Sequence, residues 1–385
     1  MRAALVAAAC ALSSSGAGIA SGFVAHPVGA SRRPAALAWT RVARVPRRMA
    51  AEDADDAYEE DDSPNAEPVQ WLAPLDENVF AAEPTKAEGR STMPIFPLGA
   101  VAYTPGSEHV LNIFEPRYRQ MYNDIIENGA RRFVVTMVNQ EHESQYAEVG
   151  VVFYMNDLSE VSQQTGDQIK YVCRHSVIGR VRIHGVLNQR SAFTRDTYMR
   201  AEVSDIADDD DDADTRAEEE ELVKQLALIS ELGESTEDVR IAPSAIATLT
   251  AKRGTEPGSL WAIIELWKGY LEARAMAVRN RLSNDVQKRV VKYLTDDGEK
   301  SVDEIPQQVN VDELPASLQA EIKGLTDMLQ QEIAPMLSEQ TTSVQRMLQA
   351  TSHRHRLALV ADVVEQERRR IAARRALKSL FGDSR

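Results

Sequence analysis

The chain has 385 residues and only two cysteines, Cys10 and Cys173. A disulfide scaffold and a multi-cysteine zinc module are therefore both excluded. Past the extreme N-terminus no run of about 18 apolar residues occurs, so no membrane span is expected in the mature chain. The phosphate-cradling pattern G-x-x-x-x-G-K-[ST] is absent as well, and with it a loop for a nucleotide motor. Basic residues are in deficit, 44 against 59 acidic, for a formal charge of −15. That balance disfavours a phosphate-backbone binder, which needs clustered Lys and Arg. What is present is apolar enough, at 43% hydrophobic, to bury a core.

The charge is segregated. Residues 1–50 hold seven Arg, no Lys and no acid. Within them Ala3 to Leu12 is an apolar run of signal-peptide length, and Gly18-Ile19-Ala20 reads as a cleavage site. Arg32, Arg33, Arg41, Arg44, Arg47 and Arg48 follow among Ser, Ala and Pro, a transit-peptide composition. The junction Ala20-Ser21-Gly22-Phe23 resembles the bipartite leader of algae with secondary, red-type plastids, and a plastid address is expected; a plain secretory or a mitochondrial leader is the alternative. Residues 51–92 carry 13 acids against two bases, with Pro64, Pro68, Pro74 and Pro84, and read as a disordered acidic linker. Trp71, Leu72, Val79 and Phe80 are its few apolar residues, expected to form a weakly ordered arm.

From Met93 the texture is β-rich. Pro94-Ile95-Phe96-Pro97-Leu98 reads as an edge strand entering a turn, Pro105-Gly106 as a turn, and Val110 to Phe114 as a strand. Glu115-Pro116 opens a helix, with Pro at its first position. Tyr118, Met121, Tyr122, Ile125 and Ile126 keep helical spacing up to the Gly129 stop. Arg132 to Val138, Val149 to Met155, Tyr171 to Arg174, Ile178 to Val186 and Tyr198 to Ile206 are further strands. Residues 93–206 thus form a compact barrel-like β domain. Residues 207–221 are an acidic insertion, uninterrupted from Asp208 to Asp212, expected as a solvated loop without the alternation of a calcium site. Residues 222–385 are helical. One helix ends at Gly233, and a long one, or two broken near Ser283-Asn284, runs from Leu260 to Leu294. A helix from Leu318 to Ile333 follows, with Pro335 within it or at its end, and another begins near Val344. The last helix is capped by Ser352. Its stripe is Leu357, Val360, Val364, Ile371 and Leu377 with Phe381, and its opposite face is basic.

Ile95-Phe96-Pro97-Leu98-Gly99-Ala100-Val101, then Pro105-Gly106, then Leu111-Asn112-Ile113-Phe114-Glu115-Pro116-Arg117-Tyr118 resembles the opening signature of the Lon N-terminal substrate-binding domain. Val149-Gly150-Val151-Val152, Gly179-Arg180-Val181-Arg182-Ile183 and Tyr198 to Val203 extend the resemblance. Thr104 and Val181 depart from it, at positions where the family has aromatics. The C-terminal region looks like that of stand-alone Lon-domain proteins of plants and cyanobacteria. The resemblance implies an α+β fold, a PUA-like β pseudobarrel followed by an α-helical bundle. It also implies a non-catalytic protein that binds polypeptide clients or a protein complex, in quality control or assembly. Its motif residues are Phe96, Pro97, Leu98, Phe114, Glu115, Pro116, Arg117, Tyr118, Gly179 and Arg180; fold specification accounts for nearly all of them. Arg117 and Glu115 are expected to pair.

No catalytic set, cofactor or metal site is expected. His353-x-His355 lies two apart on a helix and shares no face, and Cys173 reads as a core thiol. Two other readings stay open: an RNA-binding module using the barrel and the basic last helix, which the interleaved Glu365 and Glu367 disfavour, and a structural subunit of a plastid complex.

Overall fold

The computed structural model describes residues 67–382, apart from 86, 100, 210–213, 237–238, 240, 253–258 and 297–313. The leader, residues 51–66 and the side chain of Phe381 lie outside the described residues. The strands are β1 (Arg90–Pro97), β2 (Glu108–Ile113), β3 (Arg132–Thr136), β4 (Val149–Glu160), β5 (Tyr171–Val186) and β6 (Met199–Asp205). The described helices are α1 (Pro116–Glu127), α2 (Ser162–Thr165), α3 (Ser191–Thr194), α4 (Arg216–Thr236), α5 (Pro243–Lys252), α6 (Ser259–Asp296), α7 (Ala316–Gln349) and α8 (His353–Gly382). The fold is α+β.

The sheet order is β2-β5-β4-β3-β1-β6, and β6 pairs back onto β5. Five strands therefore close into a barrel, and β2 remains outside as a flap. The 16-residue β5 makes both arrangements possible: its first half pairs with β2 and its second half with β6, while β4 runs beside most of its length. Only β1 and β3 are parallel. Consecutive residues enter different cores, as a two-residue period requires. Ile95, Val134, Val152, Val181, Ile183 and Val203 share one cluster. Phe96, Phe133, Val135, Val151 and Phe153 join α1 in the other. Burial on both faces explains why β3 carries Phe133, Val134 and Val135 in succession instead of an apolar-polar alternation.

The second cluster also contains Leu222, Leu226 and Ile229 of α4, Ile263, Ile264 and Trp267 of α6, Met347 and Leu348 of α7, and Leu357, Val360 and Val364 of α8. Barrel and helices thus share one continuous core. The buried Gln345 donates from Nε2 to the Val149 carbonyl at 2.7 Å, fixing the end of α7 to β4. Farther out, Val286, Val290 and Tyr293 of α6 pack on Leu318 and Ile322 of α7 and on Leu314 just before it.

Several expectations are corrected. β1 is interior, not an edge: it lies between β3 and β6. Its prolines are tolerated because each sits where one neighbour is missing. Pairing with β3 begins at Ile95, after Pro94, and pairing with β6 has ended by Pro97. Tyr171–Arg174 and Ile178–Val186 are one bent strand, not two. The helices expected either side of Pro335 are one, with Pro335 exposed inside it; on a solvent-facing turn the lost N–H leaves a carbonyl for water. The helix expected to end at Gly233 continues to Thr236. Leu377 does not line the last helix's buried stripe but is 55% exposed.

The acidic linker is not loose over its described part. Val69 and Leu75 are buried, Trp71 bridges to Ala147, and the Leu72 and Leu75 amides donate to the Tyr146 and Ser144 carbonyls at 2.9 Å. A few well-spaced apolar side chains and a borrowed strand edge order this arm despite its composition. Phe80 alone of the arm's large apolar groups stays outside, with the Arg190 guanidinium 4.2 Å from its ring centre.

Candidate functional site

Most of the motif residues converge on the entry to α1. The turn Thr104–Ser107 has Pro105 and Gly106 (φ 83°) at its centre, closed by the Ser107 amide on the Thr104 carbonyl. Gly106 then donates to the Val177 carbonyl while Val177 donates to Ser107, a glycine-type bulge that starts β2. After β2, Glu115 is extended (φ −68°, ψ 133°) and Pro116 opens the helix. Glu115 makes no cap with its side chain. Its carboxylate instead accepts from Arg117 Nε at 2.9 Å, as expected. The Arg117 guanidinium lies 4.5 Å from the Tyr118 ring centre, and Tyr118 packs on Phe96 at 3.8 Å between centroids. Phe96 and Tyr118 are buried; Pro97 and Leu98 are half-buried, and the Leu98 amide donates to Thr136.

The other motif members part company. Gly179 follows Ile178, the extra residue of a bulge against β4, and no atom beyond its chain neighbours comes within 4 Å of where a Cβ would sit. Arg180 is buried. Phe114 is 56% exposed. It continues the outward row of β2, in which Glu108, Val110 and Asn112 are exposed and Ile113 is buried. Ile178, beside the start of β2, is exposed too.

Arg180 belongs to a latch the sequence reading missed. Its guanidinium donates to the Leu348 and Ala350 carbonyls at 2.8 and 2.7 Å and to Asp208 at 2.5 Å. Arg356, fully buried, grips the same carboxylate with two donors at 2.9 and 2.5 Å and donates to the Met347 and Ala350 carbonyls. Trp261 of α6 lies under both cations, 4.5 Å from Arg356 and 5.6 Å from Arg180. Two arginines at the carbonyl end of α7 satisfy groups that no helical N–H can reach. Asp208 is therefore a structural counter-ion, not part of a solvated loop. The uninterrupted acidic run concealed it. A signal for Arg356 existed: it stands four residues before Val360 and eight before Val364, on the buried side of α8.

A second polar group is buried under the flap. His175 has no exposed surface, and its Nε2 lies 2.8 Å from the Tyr122 hydroxyl, while Nδ1 has no hydrogen-bond partner. Tyr122, Phe133 and Phe153 surround the ring. Burial lowers its pKa to about 4; the His109 backbone and ring are smaller, opposed influences. The unfolded chain takes up this proton near pH 6.5 and the folded chain does not, so stability falls as pH drops from about 6.5 to 4, by about 3 kcal/mol at the lower end. Urea midpoints measured across that window should show the decline, and His175→Gln should flatten it. Parallel profiles for the two proteins would refute the assignment. Cys173 is buried, with its thiol pushed up to about 12 by burial, which suits a core thiol and not a nucleophile.

On α8, Glu365 accepts from Arg368 and Arg369, and the hydrogen bonds from Arg368 first, then those from Arg369, hold its pKa down to about 2. Glu367 takes Arg370, Arg274 and the Tyr270 hydroxyl. Part of the basic face is thus neutralised within the protein. His353 pairs with Glu219 at 2.8 Å, and the Ser352 hydroxyl caps α8. Among the described residues no group of three or more His, Cys, Asp or Glu could hold a metal, and no helix is long and apolar enough to cross a membrane.

A five-stranded barrel with a strand flap and helix against one face, its outer wall continuous with a helical bundle, defines an α+β architecture. Residues 92–366 match the family model of the ATP-dependent protease La (LON) substrate-binding domain, and the chain belongs to that family. Among solved structures it is similar to a Lon N-terminal domain protein from Xanthomonas campestris. Identity there is 20% over 41% of this chain and 89% of that one, with a TM-score of 0.29. It is also similar to the N-terminal domain of the Mycobacterium avium complex Lon protease, with 12% identity over 47% and 97% of the two chains and a TM-score of 0.30. No curated protein matches the sequence.

Proposed function

We propose that this protein is a non-catalytic, polypeptide-binding member of the Lon substrate-binding family that works in a plastid. There it receives unfolded or specific polypeptides and presents them to a separate protease or assembly factor. The observation that carries the reading is the outward pair Val110 and Phe114 along the flap, with Ile178 of the neighbouring β5, apolar side chains 52–56% exposed beside the family's own motif. Isolated exposed apolar residues are common, but a row along one strand offers a contact strip. The absence of a nucleotide loop from the 385 residues and the plain core chemistry of Cys173 support a binding role. The neutralising Glu365 and Glu367 favour polypeptide over RNA. The leader-like residues 1–50 support the plastid address.

One tagged protein tests both parts. Its fluorescence should fall in the plastid, and the purified full chain should retain unfolded casein. Phe114→Ser should weaken that retention several-fold without moving the thermal midpoint, because the ring is mostly in water. Fluorescence elsewhere removes the address, and no retention of casein removes the binding role.

A further inference from the structure

β2 is the edge of the sheet, paired on one side only, with β5. The hydrogen-bonding phase follows from the bulge. Val177 donates to Ser107, so His109, Leu111 and Ile113 turn their amides and carbonyls toward β5. The N–H and C=O groups of Glu108, Val110 and Asn112 therefore point the other way, and among the described residues nothing pairs with them. Barrel closure has removed the edges that β5 and β6 would otherwise offer. Natural proteins blunt a free edge with proline, lysine or a bulge within it. Here six residues run in unbroken register with one charged side chain, Glu108. Glu108 and Asn112 flank Val110 on the exposed face, and Phe114 extends the row.

We propose that the free edge of β2 captures an extended polypeptide as an additional antiparallel strand. This rests on the polypeptide-binding reading above and gives it a mode. Unpaired main-chain groups at two-residue spacing match the backbone of a strand and no other peptide conformation. The side chains set a preference. An added strand places residues directly opposite Phe114, Asn112, Val110 and Glu108 on one face, two apart in sequence. The occupant is thus a segment with apolar residues at positions one and five and a basic residue at seven. The apolar pair covers Phe114 and Val110, and the cation meets Glu108, which has no ion pair among the described residues.

The test uses the full chain and a fluorescent heptapeptide, Val-Thr-Thr-Thr-Val-Thr-Lys. N-methylation of its third and fifth residues blocks amides that would face β2; methylation of the fourth and sixth alters only the far edge. The first peptide should bind at least ten-fold more weakly than the parent, the second about equally. Val110→Pro removes an outward N–H and leaves the ladder to β5 intact, as edge strands allow; it should weaken the parent peptide at least ten-fold. Glu108→Lys should weaken it a few-fold at low salt. The methylated pair needs no altered protein, so a misfolded variant cannot obscure the outcome. Equal binding of the two methylated peptides, or no binding of the parent, overturns the edge site. Casein retention run beside it reports on the broader reading: casein held by wild type and Val110→Pro alike leaves polypeptide binding standing while the edge site falls.

Discussion

Arg356→Ala is expected to cost the fold about 4 kcal/mol, within the range for removing one partner of a buried ion pair. The guanidinium has no exposed surface and makes bonds in three directions: to Asp208, to the Met347 and Ala350 carbonyls, and across the Trp261 ring. Alanine strands the carbonyl end of α7 and leaves a void beside an indole. Asp208→Asn should cost less, because Arg180 and Arg356 keep their carbonyl acceptors. The two substitutions should not add, since both act on one network. The latch also has an acid signature. Burial alone would raise the Asp208 pKa, but its bonds to Arg356 and the nearby charge of Arg180 hold it below the ordinary value of 3.8. A depressed carboxylate stabilises the fold above that ordinary pKa, and the contribution is lost as pH falls through the folded value. Wild type should therefore decline more steeply below about pH 4 than Asp208→Asn, which keeps the contribution of the other depressed carboxylates such as Glu365. This window is separate from that of His175. Urea unfolding at pH 7 decides the main point: a loss under 1 kcal/mol for Arg356→Ala would show that the latch is ornamental.

The latch also explains what the sequence displayed and what it concealed. Elements came through where local chemistry and tertiary context agree. Pro105-Gly106 is a turn by dihedral preference and is one in the fold; Glu115-Pro116 opens a helix for the same kind of reason. The motif also showed its mainly structural character, with Phe96 on Tyr118 and Arg117 on Glu115. Readings failed where distant chain decides. His175 to Val177 reads as a break between two strands; only β2 and β4 running alongside make β5 continuous there. Pro94 and Pro97 suggest an edge, but their compatibility with an interior strand depends on where two neighbours start and stop. Val69, Trp71 and Leu75 are sparse among acids, and their order comes from residues 144–148, which no window around them contains. Asp208 reads as one more acid of a run until Arg180 and Arg356, 28 and 148 residues away, select it. The candidate site divides likewise. Phe114 is marked by its motif, whereas Val110 is a binding candidate only because the sheet order leaves β2 at the edge.

Gly150→Ala should destabilise the protein by about 3 kcal/mol, near the upper end of the overpacking range. The reason is not conformational freedom, since its dihedrals do not need glycine. It is proximity: a Cβ there would lie 2.7 Å from the Val135 carbonyl oxygen and 2.9 Å from Val134 Cγ1. The valine methyl could turn aside, but the carbonyl cannot. Val135 is in register with Phe96 on one side and Val151 on the other, so moving it disturbs β1, β3 and β4 together. These are three of the strands that close the barrel, and the same closure holds β5, and through it β2, in place. Gly179→Ala is the internal control, since nothing lies within 4 Å of its added Cβ and its φ is not positive. Its change should stay within about 1 kcal/mol and be stabilising if the loss of unfolded-state freedom dominates. The comparison separates tight barrel packing from a general requirement for glycine in strands. Equal effects at the two positions would mean that β3 yields freely, and the barrel would then be a poor support for a rigid strand edge. A large loss at Gly150 alone would show that the edge rests on a frame that does not give.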